Sequence, residues 1–387
     1  MGHHPAPSRL PVDRPGARLA TRLSFLVAGF GIACWAPLVP FAKARLGVDD
    51  ATLGLLLLCI GVGSVAAMLA TGPLSARYGS RPVIVAGGFG LALLLPLLGM
   101  AGTPLTLGLA LLAFGASLGS IDVAMNIHAV EVEKAAGTPL MSGFHALFSI
   151  GGFFGATLMT LLLSASVGVL AATALASAAM ATAMIVAWPR LLRSAQAGEG
   201  PLFARPRGVV LLLAALAAIT FLVEGALLDW SALLITEAAL VGTAQGGLGY
   251  MLFAIAMTAG RLVGDAVTAR LGDRRTMVFG GLGAVLGLAA VLAAPAAWLS
   301  LAGFVLVGLG ASNIVPVLFR LAGSQTAMPA GLAVAAITTV GYAGILVGPA
   351  GIGFVAEHVG LTTSFWLLAG LLLVVPFCAP AATMSDT

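Results

Sequence analysis

Along the chain, apolar stretches of about twenty residues or more alternate with short polar connections. In a lipid bilayer the backbone polar groups must be paired within their own segment, so apolar stretches of ~20 residues predict transmembrane helices. Twelve stretches fit this pattern, at residues 20–43, 51–73, 81–101, 104–128, 140–163, 166–188, 209–236, 245–268, 276–294, 296–319, 330–356 and 361–380. The pattern therefore predicts an all-α membrane protein with twelve transmembrane helices.

A hydrophilic stretch at residues 189–208 separates the sixth predicted span from the seventh. It contains four arginines and a run of small and polar residues, which is typical of a linker. We therefore predict one six-helix bundle at residues 20–188 and a second at residues 209–380. Polar tails at residues 1–19 and 381–387 complete the expected organisation.

The basic residues are distributed unevenly over the predicted connections. About fifteen of the eighteen Lys and Arg lie on one side of the membrane that the twelve spans imply. Because cytoplasmic connections carry the excess of Lys and Arg, we expect both termini in the cytoplasm and a multi-pass protein of the cell (inner or plasma) membrane. The composition agrees, since 8% of the residues are charged against about 25% in soluble domains. The net positive charge follows from this anchoring, so no nucleic-acid partner is expected.

The two predicted bundles are related by an internal repeat with an offset of 193 residues. Ala76–Arg81 matches Ala269–Arg274, and Gly151 matches Gly344. Parallel repeats of six helices, related by an axis along the membrane normal, are the architecture of carriers that rock two bundles about a central site. The repeat therefore favours a secondary transporter.

Each repeat carries a loop motif between its second and third spans. The two copies are Gly72-Pro73-Leu74-Ser75-Ala76-Arg77-Tyr78-Gly79-Ser80-Arg81 and Gly264-Asp265-Ala266-Val267-Thr268-Ala269-Arg270-Leu271-Gly272-Asp273-Arg274. They resemble the loop signature of the major facilitator superfamily, and this resemblance extends over essentially the whole chain. The family's acidic residue before the Arg is replaced by Ala76 and Ala269, and Asp265, one helical turn before Ala269, is its candidate substitute. The expected cytoplasmic gate comprises Gly72, Arg77, Gly79, Arg81, Arg261, Asp265, Arg270 and Gly272.

Further segments are similar to a subgroup of bacterial permeases (YbjJ-type) related to the fucose permease group. They are Asp122–Asn126, Ser142–Ser149, Glu224–Ser231, Gly341–Tyr342 and Gly348–Pro349. The resemblance implies a major facilitator fold with two pseudo-symmetric bundles and transport of a small solute, linked to protons. The sugar preference of better-known relatives does not transfer with a fold.

Ionisable residues inside the hydrocarbon are costly, so those that remain are candidates for function. Glu224, Asp122 and His145 are the candidates for proton coupling. Glu224 lies near the middle of the seventh span, and Asp122 is a candidate partner for His145 across the bundle. The alternatives are a permanently neutral, hydrogen-bonded Glu224 and an interhelical hydrogen-bond clamp at Asp122 and His145.

Polar and aromatic residues within the spans are candidates for lining a solute cavity, and two of them, Trp35 and Asn313, lie beside prolines that free backbone carbonyls. The predicted cavity residues are Trp35, Asn126, Ser149, Asp229, Trp230, Asn313 and Tyr342. For Trp35 and Asn313, a proline kink with an interfacial aromatic is the alternative. A five-residue spacing separates Glu224 from Asp229 by about 140° of helix rotation, so a shared site is not expected.

The remaining charged groups carry structural expectations. Arg261 and Asp265 are four residues apart on one helix, so we expect them to neutralise each other at the gate, with recognition of a charged solute as the alternative. His128 and the segment Glu131–Lys134 lie at or beyond the predicted helix end, so we expect solvated surface there.

The sequence favours a secondary active transporter that moves a small polar, sugar-like solute by alternating access with proton coupling, as in symport. An exporter of amphipathic compounds or drugs by proton antiport on the same fold is the alternative. An intramembrane enzyme would need a nucleophile with a base or a metal cluster at one depth, and a channel would need a continuous polar lining. Neither pattern is found, so we expect no enzyme activity, cofactor or metal. The expected partners are the solute, protons and the lipid bilayer, and a monomer suffices for two rocking bundles.

Overall fold

The computed structural model of the protein describes residues 14–48, 50–193, 205–238, 240–241 and 248–383 of the 387. We label its long helices α1 to α12 in chain order. They are α1 Pro15–Trp35, α2 Asp50–Tyr78, α3 Ser80–Met100, α4 Pro104–Ala136, α5 Met141–Ser164, α6 Val169–Ala187, α7 Val209–Glu237, α8 Leu248–Leu271, α9 Asp273–Ala293, α10 Ala297–Ala311 with Ile314–Ser324, α11 Ala330–Val359 and α12 Leu361–Leu372 with Val374–Ala382. A 3-10 turn at Ala36–Leu38 and a short helix at Val39–Leu46 continue α1, and a 3-10 turn at Trp188–Arg190 follows α6.

The helices confirm the all-α prediction. Within the part of the chain that the structure describes, eleven helical spans are long and apolar enough to cross a membrane, and α11 contributes a shorter apolar stretch at Ala330–Ile345. No strand occurs within the described residues. The tail at residues 1–13, most of the linker (194–204) and residues 384–387 lie outside the described part of the chain, so the predicted boundaries of tails and linker stay predictions.

Several helix ends differ from the predicted ones, and two of these differences have identifiable reasons. α1 begins at Pro15 rather than residue 20, because the fixed φ of proline suits the first turn of a helix. α4 continues from the predicted end at residue 128 to Ala136, where Gly137 adopts a left-handed conformation (φ 66°) that terminates the helix. Residues 129–136 are therefore helical rather than a loop.

Helix packing divides the chain into two similar bundles. In the first, α1 packs on α5 and α6, α2 on α4, and α3 on α4 and α6. In the second, α7 packs on α11, α8 on α10, and α9 on α10 and α12. The α1–α5 crossing of the first bundle thus corresponds to the α7–α11 crossing of the second.

Glycines allow the corresponding helices to approach closely. A Cβ added to Gly151 would collide with the carbonyl of Leu26 in α1, and one added to Gly344 would collide with the carbonyl of Ala218 in α7. Small residues at helix crossings let two backbones touch, which is how helices associate in lipid. The two crossings are therefore built alike, as the repeat predicted.

The two bundles meet at the end that carries Arg77, Lys134, Arg270 and Arg320, which we call the basic end. There α2 contacts α11, α5 contacts α8 and α10, and α4 contacts α10 and α11. Gly79 and Gly272 begin α3 and α9 with nearly the same backbone angles (φ 81°, ψ 162° and φ 78°, ψ 162°). Positive φ values favour glycine, so both copies of the loop motif need it at this turn.

Candidate functional site

A layer of polar side chains lies between the bundles near the middle of the helices. Counted at a rise of ~1.5 Å per residue, Glu224 of α7, Asp122 of α4 and Arg261 of α8 lie about 15–22 Å from the basic end. Half of a hydrocarbon core is about 15 Å thick, so this layer lies deep in the membrane. Groups from both bundles converge there.

Arg261 is the centre of this layer and joins the two bundles. Its Nη1 donates to Oγ of Ser149 in α5 at 3.0 Å, and its Nε donates to the carbonyl of Ser312 in α10 at 3.4 Å. Its Nη2 lies 3.8 Å from Oε2 of Glu224, an ion pair longer than a direct hydrogen bond. The second carboxyl oxygen of Glu224 is buried and has no hydrogen-bond partner.

The expected pairing of Arg261 with Asp265 is wrong. The long Arg261 side chain is paired with Glu224 near the middle of the helices, while Asp265 binds the end of α5 near the basic end. A spacing of four residues permits an ion pair but does not enforce one. Each group instead finds a partner on another helix.

Asp122 and Tyr342 form a second contact across the interface. The carboxyl of Asp122 in α4 lies close to the hydroxyl of Tyr342 in α11. The amide of Asn126 donates to the backbone carbonyl of Asp122 at 2.9 Å, and its own Oδ1 is buried without a partner. This part of the layer thus offers a carboxyl and a free acceptor.

His145 lies nearer the basic end than Asp122, and the expected partnership between them does not form. Its ring lies between the rings of Phe25 and Phe319, with centroid distances of 5.1 and 5.4 Å, and its Nε2 has no partner. His145 is only about 6 Å along α5 from the basic end, whereas Asp122 is about 21 Å along α4 from that end. This difference in depth separates Asp122 from His145, and Asp122 lies close to Tyr342 instead.

Trp35, Asp229 and Trp230 lie in a separate layer, about 30 Å from the basic end. Trp35 is buried (3% exposed), Asp229 is exposed, and neither indole N–H has a partner. These residues are therefore not part of the layer that contains Glu224, although Tyr250 lies within electrostatic range of both Glu224 and Asp229.

Asn313 links α10 to α8. Its Nδ2 donates to the carbonyl of Gly260 at 3.3 Å and to Oγ of Ser312 at 2.9 Å. Its Oδ1 lies where a side chain on Gly264 would be, so a Cβ there would collide with it. Asn313 therefore stabilises helix packing at the position where α10 is interrupted.

At the basic end, two carboxylates bind the first backbone N–H groups of α5. Oε2 of Glu133 accepts from the N–H groups of Leu140 (2.6 Å) and Met141 (2.8 Å). Asp265, in the other bundle, accepts from Ser142 N–H (2.9 Å) and Gly143 N–H (2.8 Å). The first N–H groups of a helix have no partner within the helix, and a carboxylate there also interacts favourably with the helix dipole. Half of this capping is supplied across the interface.

Arg320 of α10 adds an ion-pair network that the sequence did not predict. It pairs with Glu133 of α4 and with Asp273 at the start of α9, both at 2.5 Å. Lys134 donates to the carbonyl of Gly323 in α10. The expectation of solvated surface is therefore wrong for Glu133, which is 7% exposed. No local spacing signals this network, because its members are far apart in the chain.

His128 was also expected at the surface, and it is fully buried (0% exposed). Its Nδ1 is 3.0 Å from Oγ1 of Thr21 in α1, and its Nε2 accepts from the N–H of Leu192 at 2.9 Å. The extension of α4 beyond residue 128 is the reason, since it carries His128 into the bundle. His128 thereby anchors the start of the linker to α1 and α4.

The other gate residues cluster at the same end. A Cβ added to Gly72 of α2 would lie 2.7 Å from Cβ of Ala335 in α11. Arg77 lies over the ring of Tyr78, 5.2 Å from its centroid, and Arg270 is exposed. Among the residues that the structure describes, no group of three or more His, Cys, Asp or Glu could hold a metal ion.

Comparison with known proteins places this chain in a family. The model of the Major Facilitator Superfamily matches residues 23–326. An uncharacterized MFS-type transporter of Yersinia pestis is 50% identical over 95% of this chain and 96% of its own length. The membrane protein MosC of Rhizobium meliloti is 30% identical over 96% of this chain and 94% of its own.

Solved structures share the fold at low sequence identity. The transporter FucP in its outward conformation superposes with a TM-score of 0.78 at 16% identity, covering 96% of this chain and 99% of FucP. The human organic anion transporter MFSD10 superposes with a TM-score of 0.74 at 17% identity, covering 95% and 100%. Both likenesses concern the fold of essentially the whole chain.

Proposed function

Since the chain belongs to the major facilitator superfamily, it is a multi-pass membrane transporter and not an enzyme, and we propose that it couples uptake of a small polar solute to protons. The observation that carries this proposal is the layer around Arg261, in which polar groups of both bundles meet at mid-depth with unpaired hydrogen-bonding atoms. Buried polar atoms without partners are costly, and a bound solute can satisfy them.

The proposed mechanism is alternating access. The contacts at the basic end hold that end closed, so the polar layer is separated from that side by the contacts between α2 and α11 and between α5 and α8. Separation of the bundles there would expose the layer to that side. We propose that the basic end faces the cytoplasm, with both termini on that side, that the protein resides in the cell (inner or plasma) membrane, and that one chain is the working unit.

The two carboxyls of the layer have different surroundings, which separates their proposed roles. Glu224 has a cation beside it, Arg261, whereas Asp122 forms no ion pair within the described part of the chain and lies close to Tyr342. A buried carboxylate without a counter-charge is costly, and binding a proton removes that cost. We therefore assign the transported proton to Asp122, and solute contact to Glu224 and Arg261. His145, which has two aromatic neighbours and no acid partner among the described residues, is a further candidate for carrying the transported proton.

Proteoliposomes test the proposal. Uptake of a panel of sugars and sugar acids is measured with and without a pH gradient for the parent protein, Asp122→Asn and Glu224→Gln. We expect accumulation only with the gradient in the parent, downhill movement without accumulation in Asp122→Asn, and weak uptake under both conditions in Glu224→Gln. Equal accumulation with and without the gradient in the parent would refute proton coupling. Gradient-driven movement of amphipathic compounds instead of these solutes would favour the exporter alternative.

A further inference from the structure

A groove on the outer side of the first bundle lies outside the polar layer of the proposed transport mechanism. It lies between the start of α3 and the end of α6, and its cavity has a volume of about 330 Å³. The groove is lined by Arg81, Pro82, Val85, Ala86, Phe89 and Trp188. Because α3 packs mainly on α4 and α6 of its own bundle, this face points towards the bilayer.

The walls of the groove are apolar and aromatic. The rings of Phe89 and Trp188 meet edge to face at a centroid distance of 6.3 Å. Pro82, Ala86 and Trp188 are exposed, so the groove is open to molecules that arrive from the bilayer. Tryptophan is typical of the boundary between hydrocarbon and head groups, and the groove therefore spans that boundary.

One charged group lies at the mouth of the groove. Arg81 is only partly exposed, and it forms no hydrogen bond or ion pair within the described part of the chain. A guanidinium carries five N–H donors, and no carboxylate lines the groove. The groove therefore combines an unsatisfied cation with an apolar channel beneath it.

We propose that this groove binds an anionic phospholipid, with the lipid phosphate on Arg81 and one acyl chain along Val85, Ala86, Phe89 and Trp188. Both halves of the ligand match the groove: a phosphate accepts paired hydrogen bonds from arginine, and an acyl chain fills an apolar channel that opens to lipid. The position of Arg81 at the start of α3 places its guanidinium at the level of the head groups.

The internal repeat supplies a natural control. At an offset of 193 residues, Arg274 corresponds to Arg81, but Leu282 and Ala381 stand in place of Phe89 and Trp188. Arg274 is also exposed rather than partly buried. The charge is therefore duplicated while the aromatic wall is not, and only the groove at Arg81 should select a lipid.

Fluorescence of Trp188 tests the site directly. Trp35, Trp230, Trp298 and Trp366 are replaced by Phe so that Trp188 is the only tryptophan, and the protein is reconstituted in phosphatidylcholine vesicles. Quenching by brominated phosphatidylglycerol is compared with quenching by brominated phosphatidylcholine of the same chains. One basic residue near the surface gives about a fivefold preference for the anionic lipid. We expect this preference in the parent and in Arg274→Gln, part of it in Arg81→Lys, and its loss in Arg81→Gln.

Equal quenching by the two lipids, or a preference that survives Arg81→Gln, would overturn the proposal. Relief of the phosphatidylglycerol quenching by inorganic phosphate would also overturn it, because the groove would then be a site for free anions. Native mass spectrometry of the detergent-purified chain with all tryptophans retained provides a second measurement. The expected result is one fewer tightly bound phosphatidylglycerol in Arg81→Gln than in Arg274→Gln, and an equal number would contradict the site.

Discussion

Two of the contacts between the bundles at the basic end occupy equivalent positions of the internal repeat but are built differently. Asp265 corresponds to Gly72, and Ser142 corresponds to Ala335. Between α8 and α5, a carboxylate accepts hydrogen bonds from backbone N–H groups. Between α2 and α11, Gly72 leaves so little room that an added Cβ would lie 2.7 Å from Ala335. One contact is polar and the other is steric.

The ends of α5 and α11 explain why the two contacts differ. α5 has no capping side chain of its own at Leu140, so its first N–H groups depend on Glu133 and on Asp265 of the other bundle. α11 begins after Pro329, and Gln325 ties the preceding loop together through hydrogen bonds to the backbone of Met328. The polar part of closure is therefore concentrated on one side of the interface.

The largest expected effect comes from filling the steric contact. In Gly72→Val, the branched side chain collides with Ala335 in the closed arrangement. Overpacking costs about 1–3 kcal/mol even for small insertions, so we expect the closed basic end to be disfavoured roughly 100-fold. The measurement is labelling of a cysteine at Ser149 by a water-soluble maleimide from the basic side. Gly102→Val, at a loop glycine with open space around it, is the control, and equal labelling of both variants would contradict the steric account.

Removal of the polar contact should have the next largest effect. Asp265→Ala leaves the N–H groups of Ser142 and Gly143 unpaired at the interface. This costs about 2 kcal/mol, so the equilibrium constant for closure of the basic end should fall roughly 30-fold. Hydrogen exchange of these two amides should accelerate accordingly. Asp265→Asn keeps one acceptor and should give an intermediate rate. Unchanged exchange in Asp265→Ala would show that closure does not depend on the carboxylate.

The Arg320 network should stabilise the closed basic end less than Asp265 does. Arg320→Met removes the ion pairs to Glu133 and Asp273, but Glu133 still accepts from Leu140 and Met141. Charged hydrogen bonds contribute about 1.5 kcal/mol, so closure should weaken about tenfold. The maleimide assay at Ser149 measures this change, with Arg275→Met, an exposed arginine, as control. A loss larger than that of Asp265→Ala would reverse the proposed order of the two contacts.

The smallest effect is expected away from the basic end. Ser149→Ala removes one hydrogen bond to Arg261, whose Nε still donates to Ser312. A loss of about 1 kcal/mol corresponds to about a fivefold change in the fraction closed. Because Ser149 carries no label here, the bundle separation must be read from spin labels at the basic end. An unchanged closed fraction would mean that the hydrogen bond from Arg261 to Ser149 does not stabilise the contact between the bundles.

The fold was predictable because lipid imposes a simple rule on the chain. Apolar segments of ~20 residues, one-sided basic charge and a 193-residue repeat are all visible in the sequence. The motif also pointed to Asp265, since a carboxylate one turn before Ala269 stands out among apolar neighbours. The partners of these residues were not predictable in the same way.

The partners depend on depth and on distant segments. Arg320 meets Glu133 across 187 residues and Asp273 across 47 residues, and no spacing rule connects them. The four-residue spacing of Arg261 and Asp265 suggested a pair, but other helices supply better partners. His128 was predicted at the surface but is buried, because α4 continues eight residues beyond its predicted end.

The central claim is that Asp265 of one bundle, bound to the end of α5 in the other, holds the basic end closed. Electron–electron double resonance between two spin labels tests this claim. The labels are attached at Thr138→Cys and Ala269→Cys, two exposed positions on opposite bundles. The native cysteines Cys34, Cys59 and Cys378 are replaced in all variants. We expect one short distance in the parent and a second, longer distance with a large population in Asp265→Ala. An unchanged distance distribution in Asp265→Ala would contradict the claim.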